Sequence, residues 1–242
     1  MSKKLDITMI IGTCDKYHVF WENFMILCDR YWETDCRKIW VSETKKVPSS
    51  TYETHLPGAN MAWSDRMRSV LDVIDTKYVF TMLDDFYLTT PISEERIDKY
   101  IQFLEEKDAN KMMIAPYDRP SFYILHKHVF GNNSLMPEVK LDGDIHRLDN
   151  YSDYQTAIMP SVWRKDFLKE ILVPNWNPWE VEISGTNRIK GRDNRVYMDK
   201  VEYPGVAMGI VRKAGNMIPG WEKIFEKENL TKPLVENNKI VL

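Results

Sequence analysis

Cysteine is scarce in this chain of 242 residues: Cys14, Cys28 and Cys36 are an odd number at no disulfide-scaffold or metal-ligand spacing. That excludes a disulfide framework and a zinc ribbon and points to reduced thiols. Glycine is sparse too, at 10, and no Gly-rich or Pro-rich tract, low-complexity run or internal repeat marks a linker. One domain over 1–242 is therefore expected. An excess of charge of one sign is also missing, since Lys+Arg 33 against Asp+Glu 36 leaves a formal net charge of -3. This removes the electrostatic basis for non-specific nucleic-acid binding. No apolar run reaches membrane-spanning length, and the amino-terminal run in MSKKLDITMIIGTCD is too short for the core of a secretion signal. The expectation is a cytoplasmic protein with at most peripheral membrane contact.

What is present is an ordinary hydrophobic content of 43% and many aromatics, with tryptophans clustered at 21, 32, 40 and 63 and again at 163, 176, 179 and 221. Such rings suit core packing or stacking on a base or sugar. DITMIIGT, 6–13, is a continuous apolar run that reads as a strand buried on both faces. Phe20, Phe24, Leu27 and Tyr31 predict a helix, and KIWVSE, 38–43, a second strand. Beyond Pro48 and the Pro57-Gly58 turn, Trp63, Met67, Val70, Leu71 and Ile74 share a helical face that feeds a third strand, 78–83. This alternation implies a parallel α/β sheet with crossover helices, whose ligands bind beyond the carboxyl ends of the strands. Those ends carry Thr13 with Asp15, Ser42 with Glu43, and Asp84 with Asp85.

Further along, Ser93-Glu94-Glu95 opens a helix to about 107, MMIAP (112–116) and TAIMPSVW (156–163) read as strands, and RKDFLKEIL (164–172) as a short helix. Another helix begins near Asn177-Pro178, while 117–153 reads as an inserted region of short aromatic stretches and polar loops. From Val206 a strand-like run leads to a charged amphipathic segment. There Trp221, Ile224 and Phe225 beside Lys223 and Lys227 suit either packing on the domain or a helix lying on a membrane.

Adjacent carboxylates at a strand end repel and resist burial, so Asp84-Asp85 is either solvated in a turn or neutralised by a metal or an arginine. Taken in order, Thr13-Cys14-Asp15, Val41-Ser42-Glu43, Trp63-Ser64-Asp65-Arg66 and Leu83-Asp84-Asp85 resemble the first part of a GT-A-type glycosyltransferase. Asn177-Pro178-Trp179-Glu180-Val181-Glu182 is similar to the tryptophan-plus-acidic motif that opens the acceptor-side helix of inverting members. A narrower likeness is to small bacterial transferases that build surface polysaccharides.

The resemblance implies a GT-A-like, Rossmann-like α/β fold: a mostly parallel central sheet flanked by helices, with 1–90 as the nucleotide-sugar-binding half and 91–242 as the acceptor-binding half. It also implies sugar transfer from a nucleotide-diphosphate sugar, most simply a UDP-sugar, to a carbohydrate or lipid-linked acceptor, with inversion by direct displacement. Such an enzyme would work in the cytoplasm or at the inner face of the membrane. Thr13, Asp15, Glu43, Asp65, Arg66 and Asp84 would contact the nucleotide sugar, and Asp84 and Asp85 would hold Mn²⁺ or Mg²⁺ against its phosphates. The family's aspartate-any-aspartate motif is one carboxylate short here, because Phe86, or in a shifted alignment Leu83, takes its place.

Inverting transfer needs a general base for the acceptor hydroxyl. Glu180 and Glu182 are the candidates, but Asn177-Pro178-Trp179-Glu180 also reads as a capped helix start that occupies Glu180. Glu182 is then the preferred base and Trp179 a sugar-stacking platform. On a strand His126 and His128 would share one face, but without a third ligand that pair does not make a metal site, and nothing in the spacing of His146 assigns it to a metal or phosphate site. The basic run Arg188, Lys190, Arg192 and Arg195 suits a solvated loop or one that closes over a diphosphate. Two rivals stay open. A sugar nucleotidyltransferase normally carries a glycine-rich basic loop, which Gly12-Thr13-Cys14-Asp15-Lys16 is not. A non-catalytic carbohydrate- or nucleotide-binding protein would suit the missing carboxylate.

Overall fold

The computed structural model describes residues 4–114, 138–142, 145–199, 208–210, 212–213, 216–217, 221–232, 235–236 and 239–240. The chain opens with β1 (Ile7–Gly12), every residue buried, followed by a 3₁₀ turn (Asp15–Phe20) and α1 (Trp21–Tyr31). Then come β2 (Arg37–Val41), β3 (Glu53–His55), α2 (Trp63–Leu71), β4 (Tyr78–Leu83) and β5 (Phe86–Leu88). Next are α3 (Glu94–Glu106), β6 (Lys111–Ile114), β7 (Glu138–Asp142), β8 (Ile145–Leu148) and β9 (Ser161–Arg164). After these follow α4 (Lys165–Ile171), α5 (Pro178–Ile189), β10 (Val196–Asp199) and β11 (Met208–Ile210). The carboxyl-terminal part holds β12 (Arg212–Lys213), β13 (Asn216–Met217), α6 (Trp221–Lys227), β14 (Val235–Glu236) and β15 (Lys239–Ile240).

The central sheet has nine strands in the order β3-β2-β1-β4-β9-β6-β10-β8-β7. Only β8 and β9 run against the other seven, so the sheet is mostly parallel, as the sequence predicts. Register places the candidate residues. Gly12 pairs with Val41 on one side and with Leu83 on the other, so Thr13, Ser42 and Asp84 leave the sheet at one level.

Both faces of the sheet are covered, which is why β1 is apolar throughout. Ile7, Met9 and Ile11 point into a core with Phe20, Phe24, Leu27 and Trp40. Ile10 points the other way, among Met67, Val70, Leu71, Phe167, Leu168, Ile171 and Val181. Period-2 alternation thus feeds two cores, and each fully buried side chain of this size contributes about 1.5–3 kcal/mol.

Some elements differ from the sequence reading. The strand expected over 156–163 begins only at Ser161, because Pro160 has no N–H for a ladder and the backbone just before it is bound by side chains of other elements. β3, β5 and β8 have three or four residues each, too few to show a period. Residues 115–116 of the expected strand, together with His126 and His128, lie outside the described residues. Phe225 of α6 is fully buried, 5.7 Å from the Tyr87 ring between centroids. Just beyond that helix, Glu228 accepts hydrogen bonds from Arg30 Nη1 (2.9 Å) and Tyr31 Oη (2.7 Å), so this segment packs on the domain. Among the described residues no helix is long and apolar enough to cross a membrane.

Candidate active site

Thr13 joins the strand ends. Its N–H donates to Val41 O at 3.0 Å, and Trp21 Nε1 donates to its hydroxyl at 3.0 Å. An indole N–H can only donate, so the Thr13 hydroxyl is free to direct its own proton to Asp84 Oδ2, 2.6 Å away. The chain Trp21 to Thr13 to Asp84 ends on a carboxylate that is only 3% exposed. Gly12 lets the Trp63 ring of α2 pack close to the end of β1, since a Cβ there would lie 3.3 Å from Trp63 Nε1.

Asp15 and Glu43 engage each other. Glu43 N donates to Asp15 Oδ1 (3.0 Å), and Asp15 N donates to Glu43 Oε2 (2.8 Å). Asp15 also accepts from the Thr44 hydroxyl and from the N–H groups of Thr44 and Lys45. Burial pushes the Asp15 carboxyl up, but these donors outweigh it and hold the group below the usual carboxylate range. From α2, Arg66 Nη1 donates to Thr13 O (3.1 Å) and lies 3.5 Å from Glu43 Oε1. Its Nε is buried with no hydrogen-bond partner among the described residues. Asp65 accepts from Asn175 N (2.9 Å), while Ser64 N donates to Trp176 O and Ser64 Oγ accepts from Trp176 N. These contacts fasten α2 to the loop that enters α5.

The start of α5 is a capping box: Glu180 N donates to Asn177 Oδ1 (3.0 Å) and Asn177 N to Glu180 Oε2 (2.7 Å). Glu182 instead points inward, 8% exposed, and accepts from Ile158 N at 2.9 Å. Burial raises its pKa to about 7, with the Ile158 N–H and the Lys111 ammonium pulling down and the charge of Asp85 pushing further up. Trp179 is 47% exposed on the first turn of α5.

Thr156 bolts this arrangement together, its hydroxyl donating to Val181 O (2.7 Å) and its N–H to Thr186 Oγ1 (3.1 Å). A Cβ on Gly185 would stand 3.0 Å from that hydroxyl. Gly185→Ala is accordingly expected to destabilise the protein by about 1–3 kcal/mol, measurable as a lower urea midpoint.

The remaining candidates sit elsewhere. His146 pairs with Met198 in the β8–β10 ladder. Arg188 lies over the Trp176 ring (5.9 Å), Lys190 pairs with Asp153, Arg192 with Glu170, and Arg195 with Asp108 and Asp193. Carboxylates thus engage most of the basic run. Trp21 and Lys111 are the residues that sequence reasoning missed. A lysine opening the apolar KMMI strand was the only available signal for the second.

Among the described residues no group of three or more His, Cys, Asp or Glu is placed to hold a metal. Asp84 and Asp85 nevertheless match the hard-oxygen donor set that Mg²⁺ or Mn²⁺ takes when one or two carboxylates and substrate phosphates share the ion.

No protein-family model matches the chain, and no curated protein matches it significantly. By structure, 83% of the chain superposes on S. aureus TarS 1-349 with a TM-score of 0.51 at 13% identity. The same TarS fragment in complex with UDP gives a TM-score of 0.51, and in complex with UDP-GlcNAc 0.54, with 95% of this chain covered at 11% identity. The chain spans 59% of that fragment in the first two comparisons and 68% in the third. The shared architecture is a GT-A-like α/β fold.

Proposed function

We propose that the protein is an inverting glycosyltransferase, taking a sugar from a nucleoside-diphosphate sugar and using Glu182 as the general base. The observation that carries this reading is the inward-facing Glu182 carboxyl, 8% exposed and held by the Ile158 N–H at 2.9 Å, with burial raising its pKa to about 7. A base with a pKa near the working pH is half ionised and still strong enough to take a proton. Glu182 accepts the acceptor hydroxyl proton as that oxygen attacks the anomeric carbon, and the diphosphate leaves from the opposite face. Glu180, engaged in its cap, is left to structure. Asp84 and Asp85 would hold Mn²⁺ or Mg²⁺, and the ion would offset charge on the leaving diphosphate. Trp179 offers an exposed ring for an acceptor sugar, carbohydrate or lipid-linked. The TarS complexes with UDP and UDP-GlcNAc make a UDP-sugar the first donor to test.

Thermal stabilisation by a panel of nucleoside diphosphates, with and without Mn²⁺, tests the reading. At 100 times its dissociation constant a ligand adds roughly 2.7 kcal/mol, a rise of roughly 5–10 °C for a chain of this size. One diphosphate should stabilise the wild type with metal, and the Asp84→Asn, Asp85→Asn double variant should lose that gain. If no diphosphate shifts the wild type, the reading fails.

A further inference from the structure

Lys111 opens β6 in the middle of the sheet with 0% of its surface exposed. Its Nζ donates to Ala157 O (2.5 Å) and Gln155 O (3.2 Å) and lies 4.0 Å from the centroid of the Trp163 ring. Burial pushes its ammonium well below the usual lysine range, and the charge of Glu182 opposes that shift. A buried ammonium is costly unless carbonyls, a π face or an opposite charge compensate it, and here all three are present. A methionine would fill the space without that cost. It would also leave two carbonyls without their donor and take the positive charge away from Glu182.

The carbonyls held by Lys111 belong to the segment whose next residue, Ile158, donates its N–H to Glu182. Residues 155–158 form a shelf fixed from three sides. Asn194 Nδ2 donates to Gln155 Oε1 (2.9 Å), Thr156 bonds α5, and Lys111 grips the carbonyls from beneath. Among the described residues, the charged and titratable groups that act on Glu182 include Lys111 from β6, Asp85 beyond β4 and Tyr154 just before the shelf.

We propose that Lys111 is a positioning residue for Glu182: by holding the carbonyls of 155 and 157 it sets the Ile158 N–H that orients the Glu182 carboxylate toward the acceptor. The catalytic half of this inference rests on the proposed function, and the structural half stands without it.

The test is a double-mutant cycle over Lys111→Met and Glu182→Gln, read in two ways. In thermal unfolding, coupling through the shelf makes the double variant melt roughly 2–4 °C higher than the sum of the two single shifts predicts. Additive shifts overturn the proposal whether or not the protein is a transferase. In UDP release from a UDP-sugar, Lys111→Met lowers kcat at least about tenfold with donor KM unchanged, and adds little once Glu182 is already Gln. A variant with wild-type kcat, or one that alters KM alone, overturns the positioning role. Absence of turnover in the wild type with every UDP-sugar sinks the proposed function instead and leaves the melting cycle to judge the Lys111–Glu182 link. Should Lys111→Met fail to fold, Lys111→Gln keeps one donor for Ala157 O and takes its place in both arms.

Discussion

Glu182→Gln is expected to lower the turnover number for sugar transfer roughly 100- to 10,000-fold, the range for removing a general base, with donor KM nearly unchanged. Glutamine has the same shape and still offers an oxygen to the Ile158 N–H, which Glu182 accepts at 2.9 Å, so the loss reports the proton and not the fold. The wild-type kcat/KM should rise with pH on an acidic limb centred near 7, where the carboxyl ionises. In the variant that limb should vanish from the residual rate. Glu180→Gln, which leaves the capping box able to form, should stay near wild type. A limb at the ordinary glutamate range, or an active Gln variant, would remove Glu182 from the role.

The same carboxyl leaves a mark on stability. Its folded pKa is raised above the unfolded value, so its contribution is fully present below about 4.5 and is lost as pH climbs through about 7. A shift of that size corresponds to about 3 kcal/mol, since each unit is worth about 1.4 kcal/mol and the group is buried. Urea unfolding of the wild type against Glu182→Gln across that window should show the gap opening in favour of the variant as pH rises.

How much of this was legible in the sequence depends on how local each feature is. The ends of β1, β2 and β4 could be read because an apolar run stopping at a polar residue is a local pattern, and the sheet register then brought those ends level. The capping box that occupies Glu180 could be read too, because it spans four residues. Asp15 and Glu43 were recognisable as strand-end residues, but nothing local shows that each would accept the other's N–H. Trp21, reaching back to Thr13, and Lys111, reaching a loop more than forty residues away, depend on tertiary placement. The insertion of β9 between β4 and β6 was equally hidden, because the order of strands in a sheet leaves no local period.

Arg66→Met is expected to destabilise the protein by about 3 kcal/mol, lowering the urea midpoint by roughly 1–2 M. Arg66 is 5% exposed, and removing its guanidinium leaves Thr13 O without its Nη1 donor and Glu43 without its counter-charge. Glu43 keeps 26% of its side chain in solvent, which screens part of the loss and places the expected value at the low end for a broken buried pair. Adding Glu43→Gln should recover part of the stability, because the uncompensated charge then disappears while an oxygen remains for the Asp15 N–H. Nucleoside diphosphate binding should weaken in the single variant and stay weak in the double one. Arg66 holds the Thr13 carbonyl, and the Thr13 hydroxyl orients Asp84, so restoring charge balance at Glu43 does not restore the carboxylate's placement. If diphosphate affinity instead returns with stability, Arg66 serves only to neutralise Glu43, and its connection to Asp84 through Thr13 is refuted.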